Sequence, residues 1–169
     1  MDYESWVKTV PQEITHDMLW KVQAYRLSLF LVDLAWHDVT KLMRDRRTHD
    51  LASQLYRAAG SIEANISEGY SRGSGKERAH FYEYAFGSRR ETRGWYYKRR
   101  HVLGEHVVTH RIGLVTQIGR LLITMIRDQR LSGPLLREET IEYHGDADEL
   151  DTSSLAAGNA PLFRNIPMA

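Results

Sequence analysis

Residues 54–72 read QLYRAAGSIEANISEGYSR, and the spacing within them decides the fold. On a helix, Leu51, Leu55, Ala58, Ala59, Ile62, Ile66 and Gly69 recur at three- and four-residue steps and make one apolar stripe. Arg57, Ser61, Asn65, Glu68 and Arg72 form a polar line at the same steps beside it. A helix patterned in this way packs on other helices and carries a few polar groups into the seam between them. The run AFGSRRE at residues 85–91 supplies small and charged residues for the facing helix.

Working outward, Leu19, Val22, Leu29, Val32, Trp36, Val39 and Met43 predict a first helix from about Met18 to Arg44, with Thr15 or Asp17 as its N-cap. Arg44 to Thr48 contain no apolar residue and read as a connection. The second helix then runs to about Tyr70, where Gly69 and the turn Ser71-Arg72-Gly73-Ser74-Gly75 stop it. Ser74 and Glu77 form a capping-box pattern for a third helix reaching Leu103, with Phe81, Tyr82, Ala85, Phe86, Trp95 and Tyr96 as its apolar residues and Gly104 as its end. A fourth helix, about His106 to Arg130, carries Val107, Val108, Ile112, Val115, Ile118, Leu122, Met125 and Ile126. Gly133-Pro134 oppose its continuation. The expected fold is all-α: an up-down-up-down antiparallel four-helix bundle over residues 18–131, an irregular lead-in over 1–17 whose Trp6 packs on the body, and an acidic, largely irregular tail over 132–169.

A chain of 169 residues, 42% apolar, is long enough for one domain with a real core. It has no apolar run of membrane-spanning length and no charged-then-apolar leader, so a cytoplasmic location and no membrane partner are expected. Without cysteine it has neither disulfides nor thiolate-bound zinc. The net charge of +1 hides a strong asymmetry. Residues 1–17 carry −3 and residues 132–169 carry −5, so the middle of the chain is +9. A basic body predicts a polyanionic partner, and the acidic tail can compete for the same surface or lie on a neighbour as an extended peptide.

The run AAGSIEANISEGYSR (Ala58 to Arg72), with FGSRRE (Phe86 to Glu91) and QIGRLL (Gln117 to Leu122), resembles a family of bacterial four-helix-bundle proteins first noticed as products of intervening sequences in large-subunit ribosomal RNA genes. That family is related to the accessory subunit of diversity-generating retroelements, which partners a reverse transcriptase. The resemblance covers about residues 18–131. It implies a ring-like homo-oligomer, often a pentamer, with no established enzymatic activity and a loose association with RNA. The chain departs from the family pattern in the third helix, at Arg78, Arg89, Thr92 and the run Trp95 to Arg100.

Two constellations carry candidate function. Between residues 89 and 100, Arg89, Arg90, Arg93, Lys98, Arg99 and Arg100 stand against Glu91 alone and interleave with Trp95, Tyr96 and Tyr97. Guanidinium forks suit phosphates and aromatic faces suit unpaired bases, so Arg89, Arg90, Arg93, Trp95, Tyr97, Lys98, Arg99 and Arg100 are the expected nucleic-acid surface. The alternative is a solvated face with aromatics at core or subunit contacts. The second constellation is a structural polar seam of Arg57, Ser61, Asn65, Glu68 and Glu91: antiparallel register brings Ser61 to Gly87 and Arg57 to Glu91, with Gly60, Ser61, Gly87 and Ser88 allowing close approach. Gly113 and Gly119 likewise predict close approach to the fourth helix by a helix or subunit. His101, His106 and His110 lack acidic or cysteine partners at metal-site spacing and read as surface or helix-end residues. No residue set completes a catalytic mechanism, so neither an enzyme nor a cofactor is expected.

Overall fold

The computed structural model describes residues 2–131 and 162–169. Among the described residues there are seven α-helices and no strand: α1 (Tyr3–Val7), α2 (Gln12–Thr15), α3 (Gln23–Leu42), α4 (His49–Tyr70), α5 (Gly75–Lys98), α6 (Arg100–Leu103) and α7 (Glu105–Leu131). The segment expected to be an irregular lead-in thus contains two short helices, and the first long helix is preceded by a separate 3-10 turn over Met18–Lys21. The tail residues 132–161 lie outside the described residues.

Local chemistry sets most boundaries. Ser74 caps α5 by accepting from the Glu77 N–H at 3.2 Å, while its hydroxyl donates to the Glu77 carboxylate at 2.8 Å. Gly104, at φ 90°, closes α6 in a conformation that L side chains avoid. The expected third helix is interrupted at Arg99, so Arg100–Leu103 form a separate turn.

Packing follows two patterns, one expected and one not. On α4 the buried residues are Ala52, Leu55, Ala58, Ala59, Ile62, Ile66 and Gly69, the expected stripe with Ala52 in place of the exposed Leu51. On α3 the buried face is Leu27, Phe30, Leu31, Leu34, Ala35, Asp38, Val39 and Leu42. Trp36 and Met43, expected inside, are 58% and 54% exposed, because α3 carries two apolar stripes and only one is buried in the core. α5 packs against α4 and α7, and α3 against the same two. Gly75 faces Gln129, Arg89 faces Val115 and Gly119, and Tyr96 lies beside Arg111 through Asp38, so α5 and α7 run in opposite directions.

The glycines that permit close approach are not all those expected. A Cβ at Gly60, Gly87 or Gly94 would meet nothing within 4 Å, so those glycines face open space. At Gly69 it would lie 2.7 Å from the Tyr82 ring, and at Gly119 it would run into the Arg89 guanidinium. At Gly113 it would lie 2.8 Å from the side chain of Leu162.

Within the core, near the end where α3 and α5 finish, sits a charged pair. Arg111 donates from Nε to Asp38 Oδ2 at 2.8 Å and from Nη2 to Oδ1 at 3.1 Å, and both side chains have no exposed surface. Tyr96 donates its hydroxyl to the same Oδ2 at 2.9 Å. Burial, followed by the adjacent carboxylate, holds the Tyr96 hydroxyl well above its ordinary pKa, so it remains a donor. Three long helices, α3, α5 and α7, are thereby joined by one carboxylate.

Two stability predictions follow from these contacts. Gly69→Ala is expected to destabilise by ~1–2 kcal/mol, overpacking against Tyr82 exceeding the gain in helix propensity, whereas Gly87→Ala stabilises by ~0.5–1 kcal/mol; paired thermal melts with the same sign at both sites would refute the packing. Asp38→Asn leaves a buried guanidinium without its counter-charge and is expected to cost roughly 3–5 kcal/mol, against about 1 kcal/mol for Tyr96→Phe, as read by chemical denaturation.

Candidate nucleic-acid interface

α5 divides its charges between two environments. Ala79, Tyr82, Ala85, Arg89, Thr92 and Tyr96 form its buried stripe, so Arg89 and Thr92 occupy core positions. Arg89 is 7% exposed and donates from Nε to the Val115 carbonyl at 3.1 Å, in the space left by Gly119. Arg99 is 4% exposed, and its Nε and Nη2 have no hydrogen-bond partner. Burial lowers the pKa of both guanidiniums, with Arg93 and Arg90 adding to the effect on Arg89. Neither side chain is a surface contact, which corrects two members of the expected set.

The remaining members are accessible. Arg90, Arg93, Tyr97 and Lys98 are exposed, and Trp95 and Arg100 are half-buried. Their aromatic rings already hold cations: the Lys98 ammonium lies 4.4 Å and the Arg99 guanidinium 5.1 Å from the Trp95 ring centre, and the Arg100 guanidinium 4.2 Å from that of Tyr97. Arg90 and Arg89 stand 4.7 and 5.1 Å from the Phe86 ring. Among the described residues, no ion pair involves Arg90, Arg93, Lys98, Arg99 or Arg100.

Chain direction sets which other charges join them. The α3–α4 connection lies at the same end of the molecule as the α5–α6–α7 connection, since Asp38 and Tyr96, close to the C-terminal ends of α3 and α5, both meet Arg111 near the start of α7. Exposed Arg44, Arg46 and Arg47 therefore share that end with Lys98, Arg100 and His101. Arg47 is held by Asp45 at 2.6 Å, which lowers the Asp45 carboxyl to about 2. Arg72 sits at the opposite end, paired with Glu68 and 4.6 Å from the Phe81 ring.

The seam residues satisfy themselves along their own helices and not across. Arg57 donates to Gln54 at 2.9 Å, Asn65 donates to the Ser61 carbonyl at 2.7 Å, and Glu91 accepts from the Trp95 indole at 3.0 Å. Arg57 and Glu91 face each other only as walls of a shallow cavity of about 430 Å³, which Gln54, Ala58, Gly60, Ser61 and Ala64 also line. The expected Arg57–Glu91 ion pair is not formed, because the bare flanks of Gly60 and Gly87 leave this part of the α4–α5 boundary open.

His110 is buried, not at the surface as its sequence position suggests. Its Nε2 faces the Leu162 carbonyl at 2.9 Å, and its Nδ1 faces Arg111 Nη1 at 2.9 Å. A carbonyl only accepts and a guanidinium only donates, so the ring is neutral with its proton on Nε2. Both nitrogens are thereby engaged, leaving none for a metal ion. Burial, together with the charges of Arg111 and His106, lowers its pKa from the ordinary 6.5 despite the Leu162 contact and the Asp38 carboxylate. The neutral ring's contribution to stability is therefore complete above pH 6.5 and is lost as the pH falls toward the lower folded-state value, because the unfolded chain binds the proton first. Thermal melts should show stability falling as the pH drops below 6.5, and falling less in His110→Gln; equal slopes would refute the assignment.

Comparison with known proteins gives the fold its relatives. A solved structure from Bacteroides thetaiotaomicron, a protein of unknown function from the S23 ribosomal protein family, is similar at 21% identity and a TM-score of 0.58. The similarity covers 62% of this chain and 98% of that one. No curated protein matches. No helix among the described residues is long and apolar enough to cross a membrane. The family model of the 23S rRNA-intervening sequence proteins matches residues 21–124, the stretch that contains α3, α4, α5 and most of α7. The chain belongs to the family of 23S rRNA-intervening sequence proteins.

Proposed function

We propose that this protein is a non-enzymatic, cytoplasmic RNA-binding module. Its long helices α3, α4, α5 and α7 make an up-down-up-down four-helix bundle, which presents a basic and aromatic surface to RNA. The observation that carries this reading is the set Arg90, Arg93, Lys98 and Arg100, cations with no acidic partner among the described residues, two of them already stacked on Trp95 and Tyr97. Unpaired guanidiniums meet phosphates, and Tyr97, 57% exposed, offers a face to an unstacked base. Arg44 and Arg46 extend the surface across the end of the bundle. Arg89 and Arg99 act differently: they do not touch RNA, but as buried cations without a carboxylate they raise the potential over the exposed ones. Membership of the 23S rRNA-intervening sequence family makes a structured ribosomal RNA the first substrate class to consider.

A second reading rests on the outer stripe of α3. Trp36, 5.9 Å from the Tyr56 ring, and Met43 are both more than half exposed on one helix, as a homo-oligomer or a protein partner such as a reverse transcriptase would require.

The two readings separate in one experiment. Binding to a structured RNA and to a single strand is measured against salt for the wild type and for Arg90→Glu/Lys98→Glu, substitutions at exposed positions. A steep log–log slope in the wild type, reduced by about 1–2 in the double variant, is the expected result. Weak binding equal in both proteins would overturn the RNA reading and favour the α3 stripe.

A further inference from the structure

The last eight residues, Leu162–Ala169, lie against the helical body, and the way they are held differs from ordinary core packing. Two of their main-chain carbonyls are contacted by side chains of α7: His110 Nε2 donates to Leu162 O at 2.9 Å, and Arg111 Nη2 donates to Pro167 O at 2.9 Å. Between these contacts Asn165 adopts φ 49°, a left-handed conformation that asparagine tolerates better than most residues. The side chains then alternate in role. Leu162 sits over the bare flank of Gly113, Phe163 packs 5.4 Å from the Tyr3 ring, and Ile166 is 5% exposed, while Arg164, Asn165 and Met168 face solvent.

The segment lies beyond the stretch that the family shares. A solved relative is 98% covered by 62% of this chain, and the family match ends at residue 124. Thirty residues of strongly acidic, glycine- and serine-containing sequence separate Leu131 from Leu162.

We infer that the groove formed by Tyr3 of α1 with His110, Arg111 and Gly113 of α7 is a recognition site for a short apolar peptide of the pattern Leu-Phe-x-Asn-Ile-Pro, and that Leu162–Ala169 is its resident ligand. Main-chain carbonyl contacts hold any peptide of that shape, and the Leu, Phe and Ile positions select among sequences, the division of labour usual in peptide recognition. Arg111 suits the role because Asp38 fixes its guanidinium before the peptide arrives, so little ordering is required on binding. Because groove and ligand belong to one chain, the resident segment binds intramolecularly. Free peptide therefore competes poorly with the intact chain.

The test uses the full-length protein and a fluorescein-labelled peptide LFRNIPMA. Ile166→Asp ejects the resident segment and is expected to bind the peptide saturably by fluorescence anisotropy, at least tenfold tighter than the wild type. Adding Gly113→Leu, which fills the seat of Leu162, is expected to abolish that binding. Failure of helical Ile166→Asp to bind the peptide would overturn the inference, as would equal binding by the wild type. If Ile166→Asp loses its helical circular dichroism, Phe163→Asp, at a half-buried position, carries the same measurement.

Discussion

The buried pair of Arg111 and Asp38 is the constraint on which the rest of the structure depends. A lone guanidinium in this core would carry a desolvation cost of several kcal/mol, and each of the three nitrogens of Arg111 is directed at an acceptor, with two contacts to Asp38, one to His110 and one to Pro167. Each acceptor comes from a different part of the chain, α3, α7 itself and the C-terminal segment. The pair therefore couples the angular setting of α3 to that of α7, with Tyr96 bringing α5 to the same carboxylate. Burying such a pair contributes little net stability compared with an apolar cluster of the same volume, but it penalises any arrangement in which the three helices rotate or slide.

The parts of the fold legible in the sequence are those where one pattern had no competitor. The α4 stripe from Leu55 to Gly69, the Ser74–Glu77 cap and the stop at Gly104 are local, and local chemistry sufficed for each. α3 misled because it is apolar on two sides: the stripe through Leu29, Val32, Trp36 and Met43 looks as good as the buried one, and only the position of α4 and α7 decides between them. The deciding signal was present, since Asp38 falls in phase with Leu31, Leu34 and Leu42, and Arg111 with Val107, Val108, Leu114 and Val115. A single charge within an apolar stripe on each of two helices marks a buried pair. The same logic applies to Arg89 and Thr92, whose phase with Tyr82, Ala85 and Tyr96 puts them inside despite their polarity.

The candidate site was legible as composition but not as geometry. Six cations in twelve residues announce a basic segment, yet helical phase distributes them around α5 and its end, so that two are buried, one is half-buried and three are exposed. Gly119 is the reason Arg89 can turn inward, and it lies thirty residues away on another helix. What sequence spacing also concealed is the joining of Arg44 and Arg46 to Lys98 and Arg100 at one end, a consequence of chain direction alone.

Tyr3 and Phe163 bring the two ends of the described chain into contact. Their approach closes a loop that spans nearly all of the helical body, whereas the α4–α5 and α5–α7 pairings close short ones. Loop-closure entropy grows with length, and contacts of long sequence separation form late. The helical body is thus expected to assemble first and the clasp between the ends to close last. By the same reasoning the clasp is the first part to open in native-state fluctuations, exposing His110 and one edge of the Arg111 guanidinium to solvent while the helices behind them remain intact.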